Sequence, residues 1–184
     1  MITSAYQVKA YEKLGIDVSK LGCIMLEFEQ VPVANYIPKA WEYYARDLKK
    51  YDWITGLDIK SHVTLLYGLL EKGFVWKEHV DEVLNGWNPT DDMFIREIKV
   101  FPPAPGEDYA CLVGVVESWG KLEQAHKLLS FLPHVNTYPE YIPHLTLGYV
   151  KSEHKDEALE LLHQRRISGL QLQPKGLSYG DKHL

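Results

Sequence analysis

The sequence is short of cysteine, has no block of basic residues, and contains no apolar run near the ~20 residues that a membrane-spanning helix needs. Its two cysteines, Cys23 and Cys111, sit in the apolar runs Cys23-Ile-Met-Leu and Cys111-Leu-Val, with no CxxC partner. That excludes a disulfide framework and predicts two buried, reduced thiols in a reducing compartment. The formal charge is −5. Grip on long nucleic acid comes largely from cationic contacts to phosphate, so a long polynucleotide partner is not expected, and a phosphate-bearing substrate would be small and locally held. The start, Met-Ile-Thr-Ser-Ala-Tyr-Gln, lacks the charged and apolar regions of a signal peptide, so a cytoplasmic location with no membrane partner is expected. Walker and dinucleotide glycine loops, G-x-S-x-G, HxH and HExxH are all missing. Neither a metal nor a cofactor is called for.

What is present is apolar mass. Hydrophobic residues make up 46% of the 184 and charged residues 24%, enough for one large domain or two interlocked lobes. Apolar periodicity and Gly/Pro punctuation predict strands at 22–29, 62–67, 93–101, 109–117 and 144–150, with weaker candidates at 166–173 and 176–180. Helices are predicted at 5–14, 39–50, 76–85, 119–131 and 153–164. The prolines 102, 103 and 105, followed by Gly106, mark a hairpin. Strands and helices interleave around antiparallel pairing, which gives an α+β fold.

One internal similarity carries chemistry. His62-Val-Thr-Leu-Leu-Tyr67 matches His144-Leu-Thr-Leu-Gly-Tyr149 at His, Thr, Leu and Tyr. Composition alone predicts only about 0.26 His-x-Thr triplets in a chain like this, so two with further matches are a signal. Strand alternation places His62 with Thr64, and His144 with Thr146, on one polar face. The same alternation sends Tyr67 and Tyr149 to the apolar back. Two imidazoles facing one gap form an acid–base pair, because their ordinary pKa lets one be neutral while the other is protonated near neutrality. The hydroxyls of Thr64 and Thr146 suit the non-bridging oxygens of a phosphate. The other histidines (79, 126, 134, 154, 163 and 183) show no ligand spacing and read mostly as solvated surface residues.

His62-Val-Thr64-Leu and Pro143-His144-Leu-Thr146-Leu-Gly-Tyr resemble the paired signatures of the two-histidine (2H) phosphoesterase superfamily, and their separation of 82 residues (144 − 62) is similar to the spacing there. The resemblance implies a bilobal fold: a pseudo-twofold pair of antiparallel sheets with outer helices and a central cleft. It implies catalytic roles for His62 and His144 and phosphate-binding roles for Thr64 and Thr146. Residues 21–184 are then one bilobal domain, and residues 1–20 an N-terminal extension, a candidate lid. Tyr6 and Tyr11 in that extension, and Tyr138 and Tyr141 before the second motif, are candidates for base stacking or substrate binding. Lys60 and Lys151 flank the motifs as candidate phosphate-steering cations. The run His-Val-Thr-Leu-Leu-Tyr-Gly is similar to the phage anti-CBASS branch, which destroys cyclic oligonucleotide signals. The expected function is therefore a metal-independent phosphodiesterase acting on a small ribonucleotide, first a cyclic oligonucleotide. Alternatives are a 2′,3′-cyclic phosphodiesterase or RNA-ligase-like enzyme acting on RNA ends, and a non-catalytic cyclic-nucleotide sponge.

Overall fold

The computed structural model describes residues 15–16, 21–46, 49, 51–89, 92–104, 106–136 and 140–181. The rest of the candidate lid, with Tyr6 and Tyr11, and also Tyr138, lie outside these residues. Among the described residues six strands are formed: β1 (Gly22–Phe28), β2 (His62–Leu69), β3 (Phe94–Phe101), β4 (Tyr109–Glu117), β5 (His144–Lys151) and β6 (Pro174–Asp181). Among the described residues three α-helices accompany them: α1 (Lys77–Val83), α2 (Lys121–Leu129) and α3 (Lys155–Gln164). The strands lie in the order β3-β4-β5-β2-β1-β6, every neighbouring pair antiparallel. The fold is α+β. In place of the expected pair of sheets there is one six-stranded sheet, in which two three-stranded sets join where β2 meets β5. That join is a single registered pair, Val63 against Leu145. A twofold operation about it exchanges β2 with β5, β1 with β4, and β6 with β3.

The core lies on one face. Val63, Leu65, Leu66, Leu145 and Leu147 are buried against Val80 of α1, Leu122, Ala125 and Leu129 of α2, and Ala158 and Leu162 of α3. A leucine-sized side chain removed from water contributes about 1.5–3 kcal/mol, so this layer fixes which way each motif strand turns its polar side. On the opposite face a smaller cluster joins Tyr43, Tyr51, Ile54, Tyr109, Cys111, Val113 and Tyr149. Both cysteines are buried and unbridged.

Two sequence expectations fail for tertiary reasons. The described residues of 39–50 do not form the predicted helix; among them only a 3₁₀ turn, Lys39–Trp41, is helical. From Glu42 the chain pairs in extended fashion, with Glu42 against Val150 and Tyr44 against Thr55. Tyr43 and Ala45 point inward and Tyr44 and Arg46 outward, a strand period. The N–H of Tyr43 donates to Tyr149 O (2.9 Å) and its hydroxyl donates to the buried Glu107 carboxylate. The open edge of β5 thus outweighs helix propensity, a few tenths of a kcal/mol per residue. The weak strand at 166–173 is likewise absent as a strand; Arg166 takes a positive φ of 56° and only Gln171 bridges, to Phe94.

Candidate active site

The single rung between β2 and β5 builds the site. Where Val63 faces Leu145, antiparallel geometry sets His62 across from Thr146 and Thr64 across from His144. Val63 and Leu145 are buried in the helix-facing core, so these four polar residues share the opposite face, and each is half-buried. Each imidazole therefore stands over the other motif's threonine. Directly opposed residues have Cβ atoms about 4.5–5.5 Å apart and diagonal ones, such as His62 and His144, about 7–8 Å apart. That diagonal accommodates one phosphorus atom with its oxygens.

Beyond the rung the two strands part. Leu69 of β2 pairs with His134 and Gly68 O accepts from Val135 N, whereas Val150 of β5 pairs with Glu42 and Tyr149 N donates to Gly56 O. Each motif strand thus borrows the loop that precedes the other motif. Side chains satisfy further backbone groups: Tyr141 OH donates to Thr64 O (3.0 Å), and His126 Nδ1 bonds Leu65 O (2.7 Å). Those two rings stack with centroids 4.0 Å apart. Tyr141 is thus tied to the strand that carries Thr64, and burial pushes its phenol well above the ordinary range. Lys151 Nζ donates to Ala40 O (2.7 Å), which holds that cation to the loop before the first motif. Three of the other histidines, expected at the surface, are instead half-buried: His126, His134, bonded to Leu132 O, and His154, stacked on Trp41.

The repeated tyrosines depart from simple alternation. Registers against β1 and β4 jump at Leu65 and at Leu147: Met25 faces Thr64 but Ile24 faces Leu66, and Val113 faces Thr146 but Leu112 faces Gly148. Each jump is a β-bulge, one extra residue that reverses the facing of everything after it. Tyr67 and Tyr149 therefore lie on the histidine face, not the helix face. Tyr149 joins the second cluster, where it lies across from Cys111. The paired apolar residues before each tyrosine, Leu65-Leu66 and Leu147-Gly148, were the sequence sign of this bulge.

The imidazoles are held alike. His62 Nδ1 lies 2.9 Å from Lys60 O and His144 Nδ1 lies 2.8 Å from Ile142 O. A carbonyl oxygen only accepts, so each Nδ1 carries a hydrogen and each Nε2 is left to exchange a proton. Burial lowers the pKa of both rings below the ordinary 6.5, for His144 to about 4. The backbone carbonyls oppose this in both. His144 is further depressed by the positive charge that His62 can carry. His62 has a neighbour that His144 lacks: Glu27 of β1, directly across from it, raises its pKa, while Lys60 lowers it. The corresponding position opposite His144 is Val115. Glu27 is the only charged residue within Gly22–Phe28, a signal in the sequence whose target only the register reveals.

Among the described residues, no three His, Cys, Asp or Glu side chains are grouped to hold a metal ion, and no helix is long and apolar enough to cross a membrane. No curated protein matches the sequence at a significant level. The solved structure of Usb1 from Kluyveromyces marxianus is similar in fold, with a TM-score of 0.56 at 10% identity, covering 91% of this chain and 96% of that one. The model of the 2′-5′ RNA ligase superfamily matches residues 38–177, a span that contains both His-x-Thr strands. The chain belongs to that superfamily, whose two-histidine phosphoesterases act on RNA or nucleotide phosphodiesters.

Proposed function

We propose that the chain is a metal-independent phosphodiesterase that cleaves a small ribonucleotide phosphodiester, with a cyclic oligonucleotide as its preferred substrate. The observation that carries this is the Val63–Leu145 rung, whose register brings His62, Thr64, His144 and Thr146 to one face of the sheet, with each imidazole's Nδ1 committed to a backbone carbonyl. In the first displacement a neutral Nε2 takes the proton from the attacking oxygen, a ribose 2′-hydroxyl or water. The second ring, protonated, gives its Nε2–H to the oxygen that leaves phosphorus. Thr64 and Thr146 donate to the non-bridging oxygens and stabilise the charge that builds there. Burial favours the neutral form of both rings before substrate enters. The incoming phosphodiester anion favours the charged form of one ring and so readies the acid. The preference for a small substrate rests on the formal charge of −5.

Action on RNA ends is the second reading, and it is favoured by the name of the family whose model the chain matches. A panel of cyclic di- and trinucleotides, a 2′,3′-cyclic nucleotide and short RNAs, each assayed with and without EDTA, separates the two. Turnover of the cyclic oligonucleotides, unchanged by EDTA and reduced at least 10³-fold by His62→Ala or His144→Ala, is expected. Cleavage of RNA ends alone selects the second reading. Near-normal turnover by both variants removes the phosphodiesterase assignment from these residues.

A further inference from the structure

The two halves of the site are alike in sequence and backbone but not in charge, and we infer that Glu27 is a positioning residue that makes His62 the proton donor of the first displacement. The inference rests on the phosphodiesterase reading above. Strand register carries it. Glu27 on β1 lies directly across from His62, so their Cβ atoms are about 4.5–5.5 Å apart on the histidine face. On its other side Glu27 faces Gly176 of β6, which has no side chain. The twofold mate of Glu27 is Val115, across from His144, and the ring of Phe101 packs edge-on against that imidazole with centroids 4.9 Å apart. One imidazole therefore has a carboxylate beside it, and the other a wall of hydrocarbon.

Among the described residues, Lys60 is the charge that opposes Glu27 at His62. Around His62 the described charged and titratable groups are Glu27, Lys60 from the preceding segment, and His144 across the rung. Around His144 they reduce to His62. Glu97, two strands from His144, is bound by Lys99 at 3.0 Å and Arg96 at 3.3 Å. Lys60 opposes Glu27, but its side chain is exposed and screened by solvent, whereas Glu27 is half-buried within the sheet. An imidazolium beside a carboxylate is stabilised; one against hydrocarbon is not. The proton of the attacking 2′-hydroxyl thus passes to His144 Nε2. The new oxygen–phosphorus bond forms, the bond to the leaving 5′-oxygen breaks, and that oxygen takes the proton from His62 Nε2. The products are a 2′,3′-cyclic phosphate and a 5′-hydroxyl, and the roles reverse if water then opens the ring.

The test uses the full chain with Glu27→Gln, an isosteric neutral change, and Glu27→Asp, which keeps the charge. NMR titration of the imidazole signals reads the charge effect without any substrate. The His62 titration should move to lower pH in Glu27→Gln, recover in Glu27→Asp, and leave His144 in place. Kinetics then read the role with two substrates, a plain ribodinucleotide and uridine 3′-(p-nitrophenyl phosphate), whose leaving group needs no proton. Glu27→Gln should lose tenfold or more on the dinucleotide, with the alkaline limb of its pH profile moved to lower pH. On the nitrophenyl ester it should lose less than twofold. An unmoved His62 titration, or equal losses on both substrates, overturns the inference. Wild-type protein inert toward every phosphodiester overturns the functional reading instead, and the titration still reports whether Glu27 tunes His62.

Discussion

Replacing His144 by Ala tests the environment of the site through stability as well as through catalysis. In the folded chain His144 titrates at about 4 because burial penalises its charged form; its ordinary value is 6.5. The unfolded chain therefore takes up a proton below pH 6.5 that the native ring refuses until about pH 4. Stability from this group is intact above pH 6.5 and falls as the solution is acidified. From the two values the loss is about 2 kcal/mol at pH 5 and about 3 kcal/mol at pH 4, using about 1.36 kcal/mol per unit. The variant also loses packing around the ring, but that loss does not depend on pH. Urea unfolding of both proteins at pH 7.5, 6, 5 and 4 isolates the imidazole. The stability difference between them should shift by about 3 kcal/mol in favour of the variant between pH 7.5 and pH 4. A difference constant to within about 0.5 kcal/mol would mean that the ring is not desolvated, and the claim that it is neutral and ready to act as base would be lost.

Three further outcomes are expected. Tyr141→Phe removes the donor to Thr64 O and should cost about 1–3 kcal/mol, measured by thermal denaturation, with kcat falling because Thr64 loses its support. Gly148→Ala drives a methyl group to 2.5 Å from Leu57 Cδ2 and should destabilise by about 1–3 kcal/mol in urea unfolding; Gly148→Ala together with Leu57→Ala should recover part of that. Thr64→Ala and Thr146→Ala should each lower kcat/KM by about 10–100-fold, the worth of one hydrogen bond to a charged oxygen, and leave the pH profile in place.

Local rules read much of the molecule correctly. Strands β1 to β5 and helices α2 and α3 followed from apolar runs, periodicity and punctuation; β1 and β4 are buried along nearly their whole length and read as continuous apolar runs. They failed where the partner was distant. Residues 39–50 have helical composition, yet Tyr43 finds its hydrogen-bond partners in Tyr149 and Glu107, 106 (149 − 43) and 64 (107 − 43) positions away along the chain. Strict alternation misplaced Tyr67 and Tyr149 because a bulge is fixed by register against a neighbouring strand.

The sequence by itself determined the chemical groups: two imidazoles and two hydroxyls on the polar sides of two matching strands, since side-chain alternation over three residues is a local property. Only the tertiary structure decided that those strands meet at one rung, that each histidine stands over the other motif's threonine, and that a carboxylate accompanies one ring and a valine the other. Those relations are cross-strand, set by hydrogen-bond register between segments far apart in the chain, and no local periodicity encodes them.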